Sequence, residues 1–243
     1  MNTTTETKLP VIRHRLNLSA DQIPWDQIRA EFDQAPQDHS LEKGRALSTW
    51  NWGENHRTDL DPWFEPVRNQ IQELVQAYFG VEEGYRSWAM NSWMNRHYAT
   101  GSTSRHTHRQ CDMVFSCYLS VPKDSGAFLI EWEGQWWRIP VESGDMLIFP
   151  GEVEHATEIN RNPDDLPRIV LTVNAGPTGM IWNSIPTPDQ LLERGMTMPQ
   201  ALGQIREQYL STHHLFQERK HRLIQSLQAG SNIELQPGVY EDR

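Results

Sequence analysis

The sequence predicts a mainly β protein, a barrel with helices before and after it, on three observations. Between Tyr85 and Gly176 apolar residues recur with the period of two that marks strands. On either side, over 61–79 and 186–228, they recur at helical spacing instead. Within the strand-rich stretch, His106-Thr107-His108, Gly144 to Pro150, His155 and Arg168 together describe a mononuclear metal site with a cationic anchor beside it. The expected organisation is a single catalytic domain over 1–243. Residues 1–84 form an N-terminal helical support, 85–176 the barrel core and 177–243 a C-terminal helical extension.

Taken in order, Met1 to about Lys8 is polar and reads as disordered. Ala20 to Trp25 leads into a short helix that ends near Phe32, and 36–60 reads as irregular, with Trp50-Asn51-Trp52-Gly53 as a loop or edge strand. Asp61 to Phe79 is the clearest helix. Asp61 can cap it, Pro62 suits the first helical position, and Pro66 delays the regular part until after Glu65. Val67, Ile71, Leu74, Val75 and Tyr78 form its apolar stripe, suited to packing outside the larger sheet, and Gly80 ends it.

Seven segments then read as strands: Trp88 to Tyr98, Met113 to Val121, Ala127 to Trp132, Gln135 to Val141, Met146 to Phe149, His155 to Ile159 and Arg168 to Asn174. Glu133-Gly134 is expected as a hairpin turn and Lys123-Asp124-Ser125-Gly126 as another. Residues 161–167 form a polar loop. Helical spacing returns through Leu202, Ile205 and Tyr209 and again through Phe216, Leu223, Ile224 and Leu227, and the tail after Gly230 reads as weakly structured. The helix over 211–228 can cover the barrel or join two copies of the chain as a homodimer.

Composition narrows the function. A net charge of −10, with no basic run beyond Arg219-Lys220-His221-Arg222, argues against a nucleic-acid surface. No apolar stretch approaches the length of a membrane span or a secretion signal, so no membrane partner is expected. Cys111 and Cys117 lie on what reads as one extended strand, where the six-residue separation spans about 20 Å, beyond disulfide reach. Reduced thiols suit a cytoplasmic location.

In a strand, residues i and i+2 share a face, so the imidazoles of His106 and His108 can converge on one ion. Met146 to Phe149 reads as a buried strand bounded by Gly144-Asp145 and by Pro150-Gly151, after which His155 returns to the site. Arg168 keeps its proton and offers a planar fork to a carboxylate. Alternation puts Val170, Thr172 and Asn174 on its face. The plainer reading makes Arg168 a surface residue balancing Asp164 and Asp165.

The run Asn91 to Gly176 resembles the iron(II)/2-oxoglutarate-dependent oxygenases, in their prolyl-hydroxylase-like branch and its uncharacterised relatives. The resemblance covers about a third of the chain and implies a double-stranded β-helix, or jelly roll, that uses Fe(II), 2-oxoglutarate and O2. It places His106 at the first metal ligand and His155 at the distal one, with Arg168 and Tyr118 on the far carboxylate of 2-oxoglutarate. Tyr98 falls where some members put a tyrosine near the co-substrate, and Thr172 shares that wall. Asn95, Trp93 and Asn174 are candidate substrate or co-substrate contacts, while Trp50 and Trp52 are further pocket candidates. His213-His214 reads as solvated.

One departure concerns the third ligand, where the family's usual carboxylate is replaced by His108. Three neutral imidazoles leave a divalent ion's charge intact, whereas a carboxylate cancels one unit. Asp112 is the alternative third ligand, and a two-His site completed by water is another. The resemblance implies a hydroxylase acting on an unactivated C–H bond, with a small molecule or a peptidyl side chain as substrate. Gly144, Pro150, His155 and Asn160 also lie close to cupin spacing, so a three-His cupin-type iron dioxygenase stays open. So does a non-catalytic jelly-roll binding module.

Overall fold

A computed structural model describes residues 8–34, 42–49, 58–79, 89–108, 111–176, 186–234 and 236–240. Two antiparallel sheets carry the architecture. The larger contains β1 (Ile12–Arg15), β3 (Ala46–Ser48), β4 (Ala89–His97), β6 (Met113–Ser120), β9 (Asp145–Pro150) and β11 (Arg168–Ala175), ordered β1-β9-β6-β11-β4-β3. The smaller contains β7 (Phe128–Trp132), β8 (Gln135–Ile139), β10 (His155–Thr157) and β12 (Gln236–Pro237), ordered β10-β7-β8-β12. A short pair, β2 (Glu42–Lys43) with β5 (Ser102–Thr103), lies beside them.

The central strands bury both faces, so all eight residues of β11 are buried, the polar Arg168, Thr172 and Asn174 among them. One face of β6 and β11 presents Phe115, Cys117, Leu119, Ile169, Leu171 and Val173. These share a core with Ile28 and Phe32 of α1 (Trp25–Gln34) and with Val67, Ile71 and Val75 of α2 (Glu65–Phe79). The opposite face presents Val114, Tyr118 and Val170, which pack with Leu147 and Phe149 against Phe128, Ile130 and Ile139 of the smaller sheet. Removing a buried Phe such as Phe115 or Phe149 would cost roughly 3–5 kcal/mol, so the space between the sheets is tightly defined.

The first turn takes left-handed backbone at both central residues, which Gly134 favours and Glu133 tolerates. Glu133 and Gly134 both have positive φ (55° and 79°) between the paired Trp132 and Gln135, the two-residue turn that matches strand twist. The segment 123–126 is a turn, yet not a hairpin. Its flanking strands, β6 and β7, lie in different sheets, so it carries the chain from one sheet to the other. Buried Asn162 pins it, donating from Nδ2 to the Lys123 carbonyl at 2.8 Å.

Three further differences from the sequence reading concern regions expected to be irregular or helical. Ile12–Arg15 is an edge strand in the larger sheet, antiparallel to β9, and Ala46–Ser48 extends the opposite edge beside β4. Gln236–Pro237 of the tail adds to β8. Short, half-exposed edges carry too few apolar residues to show a period of their own. α2 starts at Glu65 after a 3-10 turn over Pro62–Phe64, and the Asp61 side chain makes no capping bond. Two C-terminal helices, α3 (Pro188–Glu193) and α4 (Met198–Gly230), follow Thr187 and Thr197, each hydrogen-bonded with the Gln three residues on.

Cys111 and Cys117 are free and buried, the first in the inter-sheet core and the second in the helix-facing core. Among the described residues no helix is long and apolar enough to cross a membrane. Trp50 to Gly53, Gly80 and 85–88 lie outside the described residues, as do the side chains of Tyr78, Tyr209, Phe216, His213 and His214.

Candidate metal centre

Backbone pairing brings the first and last histidines together. His106 and His155 form an isolated antiparallel bridge, each N–H donating to the other's carbonyl at 3.0 Å. His155 opens β10, which is held on β7 by pairing with Ile130. Two backbone hydrogen bonds hold His108: Cys111 N–H donates to its carbonyl at 3.0 Å, and its own N–H donates to the Gly151 carbonyl at 2.6 Å. Gly151 permits this approach, since a Cβ there would lie 2.5 Å from the carbonyl oxygens of both His108 and Cys111. The sequence marks Gly151 only as the end of a strand.

The three histidines place one ring nitrogen each within 4.8 Å of one another. Their hydrogen bonds fix which nitrogen that is. Nδ1 of His106 lies 2.8 Å from the Ser104 carbonyl, and Nδ1 of His155 lies 2.9 Å from the Val153 carbonyl. Nδ1 of His108 lies 2.7 Å from Oδ1 of Asn174. Carbonyl oxygens only accept, so each Nδ1 carries the proton and each Nε2 presents a lone pair. Nε2 of His108 and Nε2 of His106 are 3.0 Å apart. Two lone pairs at that distance repel unless a cation lies between them.

Burial favours the neutral ring at His108 and His155. It pulls the His108 imidazole down from its ordinary value to about 3, reinforced by neighbouring His106 and opposed by the bond to Asn174. Burial likewise holds His155 well below the usual range, with His106 and His108 adding to the effect. The Trp93 ring stacks on His108 at 5.4 Å, and Phe128 and Phe149 flank His155 at 5.5 and 4.8 Å. His106 is the most exposed of the three, so the centre opens on its side.

The remaining expected site residues divide. Asp112 is buried yet stands outside the histidine group: it packs beneath Gly176, where an added Cβ would lie 2.7 Å from its carboxylate. Tyr98 lies away from the histidine group, on the side that meets α1. It follows Arg96 and packs against the guanidinium groups of Arg96 and Arg45, beside a small cavity that also involves α1. Asn174 and Trp93 reach the site by supporting His108. Thr172 is buried in register with Trp93 and Ser116, and Asn95 pairs with Val170. The side-chain oxygens of Asn91 and Asn95 are buried with no hydrogen-bond partner among the described residues.

Arg168 is fully buried at the other end of β11, and Asp165 pairs with Arg45 at 2.6 Å, so the surface reading of Arg168 does not hold. Its guanidinium donates to the Ser125 carbonyl at 2.7 Å, to the Glu158 carbonyl at 3.1 Å and to Nδ1 of His97 at 3.3 and 3.4 Å. Tyr118 is buried close enough to feel its charge, although burial raises the phenol well above its usual range. His97 escaped the sequence reading. The period-two series Asn91, Trp93, Asn95 extends to it and was the available signal.

No family model matches the chain, and no curated protein does at the level of sequence. Solved structures do match. HygX from Streptomyces hygroscopicus with nickel and 2-oxoglutarate bound is 12% identical, covers 70% of this chain and 84% of its own, and superposes with a TM-score of 0.50. The same protein with hygromycin B also bound gives 11% identity, the same coverage and the same score. An oxidoreductase of the 2OG-Fe(II) oxygenase family from Burkholderia pseudomallei is 13% identical over 69% of this chain and 85% of its own, at 0.49. This chain has the 2OG-Fe(II) oxygenase fold. The jelly roll implied by the sequence resemblance is therefore the observed architecture. In that oxygenase fold the histidine group lies where β10 meets the segment before β6.

Proposed function

We propose that this chain is a non-haem Fe(II)- and 2-oxoglutarate-dependent oxygenase that hydroxylates an unactivated C–H bond, with release of succinate and CO2. One observation carries the reading: His106, His108 and His155 each commit Nδ1 to an oxygen and turn a neutral Nε2 toward a common point. The donor set fits the metal. Two imidazole nitrogens sharing one ion through bonds of about 2.1 Å could lie no more than about 4 Å apart. The 3.0 Å between His106 and His108 meets that requirement. Outer partners that fix ring tautomers are the usual support of ligating histidines.

When bound, Fe(II) with O2 and 2-oxoglutarate supplies the oxidation, one oxygen atom passing to the substrate and the other to succinate. The chain's own residues supply place and surroundings. His106, His108 and His155 hold the ion, and His108 takes the third position in preference to Asp112. Trp93, Phe128 and Phe149 keep water from the buried side of the rings. Arg168, aided by Tyr118, binds the far carboxylate of 2-oxoglutarate, and Thr172 and Asn95 line the polar wall between anchor and metal. The substrate is a small molecule or a peptidyl side chain. HygX holds nickel and 2-oxoglutarate in this fold, which supports a divalent metal with 2-oxoglutarate here.

A second reading has an observation of its own. The Arg168 guanidinium already donates to His97, Ser125 and Glu158, so it has a structural role without 2-oxoglutarate, which suits a three-His cupin-type dioxygenase independent of that acid. Succinate release separates the two. Incubated in air with Fe(II) and 2-oxoglutarate, the hydroxylase forms succinate slowly even without its substrate. Oxidation of a substrate with no call on 2-oxoglutarate would favour the cupin reading.

A further inference from the structure

The buried guanidinium of Arg168 has a partner that the sequence did not point to. Arg168 and His97 lie directly opposite one another in the register of β11 with β4, and His97 is 1% exposed. Nδ1 of His97 accepts from both Nε and Nη2 of Arg168, at 3.4 and 3.3 Å. An Nδ1 that accepts leaves the ring proton on Nε2, and that nitrogen faces Thr103 Oγ1 at 2.8 Å. The imidazole is therefore neutral, held at both ends and fixed in its tautomer.

Thr103 is itself tied down. Its N–H donates to Thr157 Oγ1 at 2.8 Å, and the next residue, Glu158, gives its carbonyl to Arg168 Nη2 at 3.1 Å. The contacts close into a ring through Arg168, His97, Thr103, Thr157 and Glu158, joining the larger sheet to the strand that begins with His155. A long arginine side chain can take many rotamers, and this ring selects one. Ser125 holds the third side of the guanidinium by its carbonyl.

We propose that His97 is the positioning residue of the 2-oxoglutarate anchor, fixing where the Arg168 guanidinium lies and which way its plane faces. The inference rests on the reading of Arg168 given under Proposed function. It separates His97 from the metal: the residue acts on the far carboxylate alone, through Arg168, and touches neither ion nor substrate.

The test compares two 2-oxo acids on the anaerobic Fe(II)-loaded protein. 2-Oxoglutarate carries the far carboxylate and 2-oxobutyrate lacks it. Dissociation constants are measured by calorimetry for the wild type, His97→Leu and His97→Gln. His97→Leu should weaken 2-oxoglutarate roughly tenfold, the scale of one lost hydrogen bond to a charged group, and leave 2-oxobutyrate and iron stoichiometry unchanged. His97→Gln should recover part of the loss, since its amide oxygen can accept from the guanidinium. Equal weakening of both acids would make His97 a general structural residue and overturn the proposal, as would unchanged or tighter 2-oxoglutarate binding in both variants. A wild type that binds no 2-oxoglutarate would instead overturn the functional reading beneath it.

Discussion

At the scale of single residues, the candidate centre is decided by which nitrogen each histidine offers. The i, i+2 spacing made His106 and His108 legible as a pair, and His155 followed from the strand after Gly151. The partners that set the tautomers are distant in the chain or belong to the backbone, Asn174 above all, so the sequence could not show them. His106→Ala and His155→Ala should each lose stoichiometric iron with circular dichroism unchanged. His108→Ala should weaken iron strongly and Asp112→Ala should not, and the reverse order would move the third ligand to Asp112. Acid provides a further check. The folded-state value of His108 is lowered to about 3, so the native state favours the neutral ring. Its contribution is whole above the unfolded value of about 6.5 and is lost as pH falls from there toward about 3. Denaturant midpoints of the metal-free protein should drop across that window, and less steeply in His108→Gln.

Among elements, the strands that carry the site were legible because their apolar residues are dense and their ends are marked by Gly and Pro. The edge strands were not. β1 has only Ile12 buried within it, and its arginines answer Asp145 across the sheet, with Arg15 at 2.9 Å and Arg13 at 3.6 Å. Such pairing over a long sequence separation leaves no local trace. The same holds where α1 meets the start of α2. The Glu31 carboxyl is pushed up to about 7, first by burial and then by hydrogen bonding and repulsion from Asp61, which faces it in place of capping its own helix. A carboxyl raised in the folded state contributes stability that is whole below the unfolded value and lost as pH rises through about 7. The denaturant midpoint should therefore fall between about pH 5 and about pH 8. Glu31→Gln should flatten that fall and raise the midpoint at the alkaline end; a fall of equal size in the variant would clear this carboxyl pair.

For the whole molecule, the strand pattern showed a β region between two helical ones, the histidine and arginine motif with the family resemblance made it a barrel, and the two facing sheets are that barrel. The position of Arg168 inside it followed from alternation along one strand. Its engagement with His97, Ser125 and Glu158 depends on three other segments and could not be read from the chain. In the proposed function one end of the barrel holds Fe(II) on His106, His108 and His155 while buried Arg168 holds the far end of 2-oxoglutarate. Titrating 2-oxoglutarate into the anaerobic Fe(II) protein, and following the weak visible band of a 2-oxo acid chelated to the ion, tests both halves at once. The wild type should develop the band saturably. Arg168→Ala should need roughly 10–100-fold more 2-oxoglutarate at unchanged iron content, from a charge-assisted pair of about 1.5–3 kcal/mol, and Tyr118→Phe a smaller excess. No band in an iron-loaded wild type, or the same midpoint in wild type and Arg168→Ala, would contradict the account.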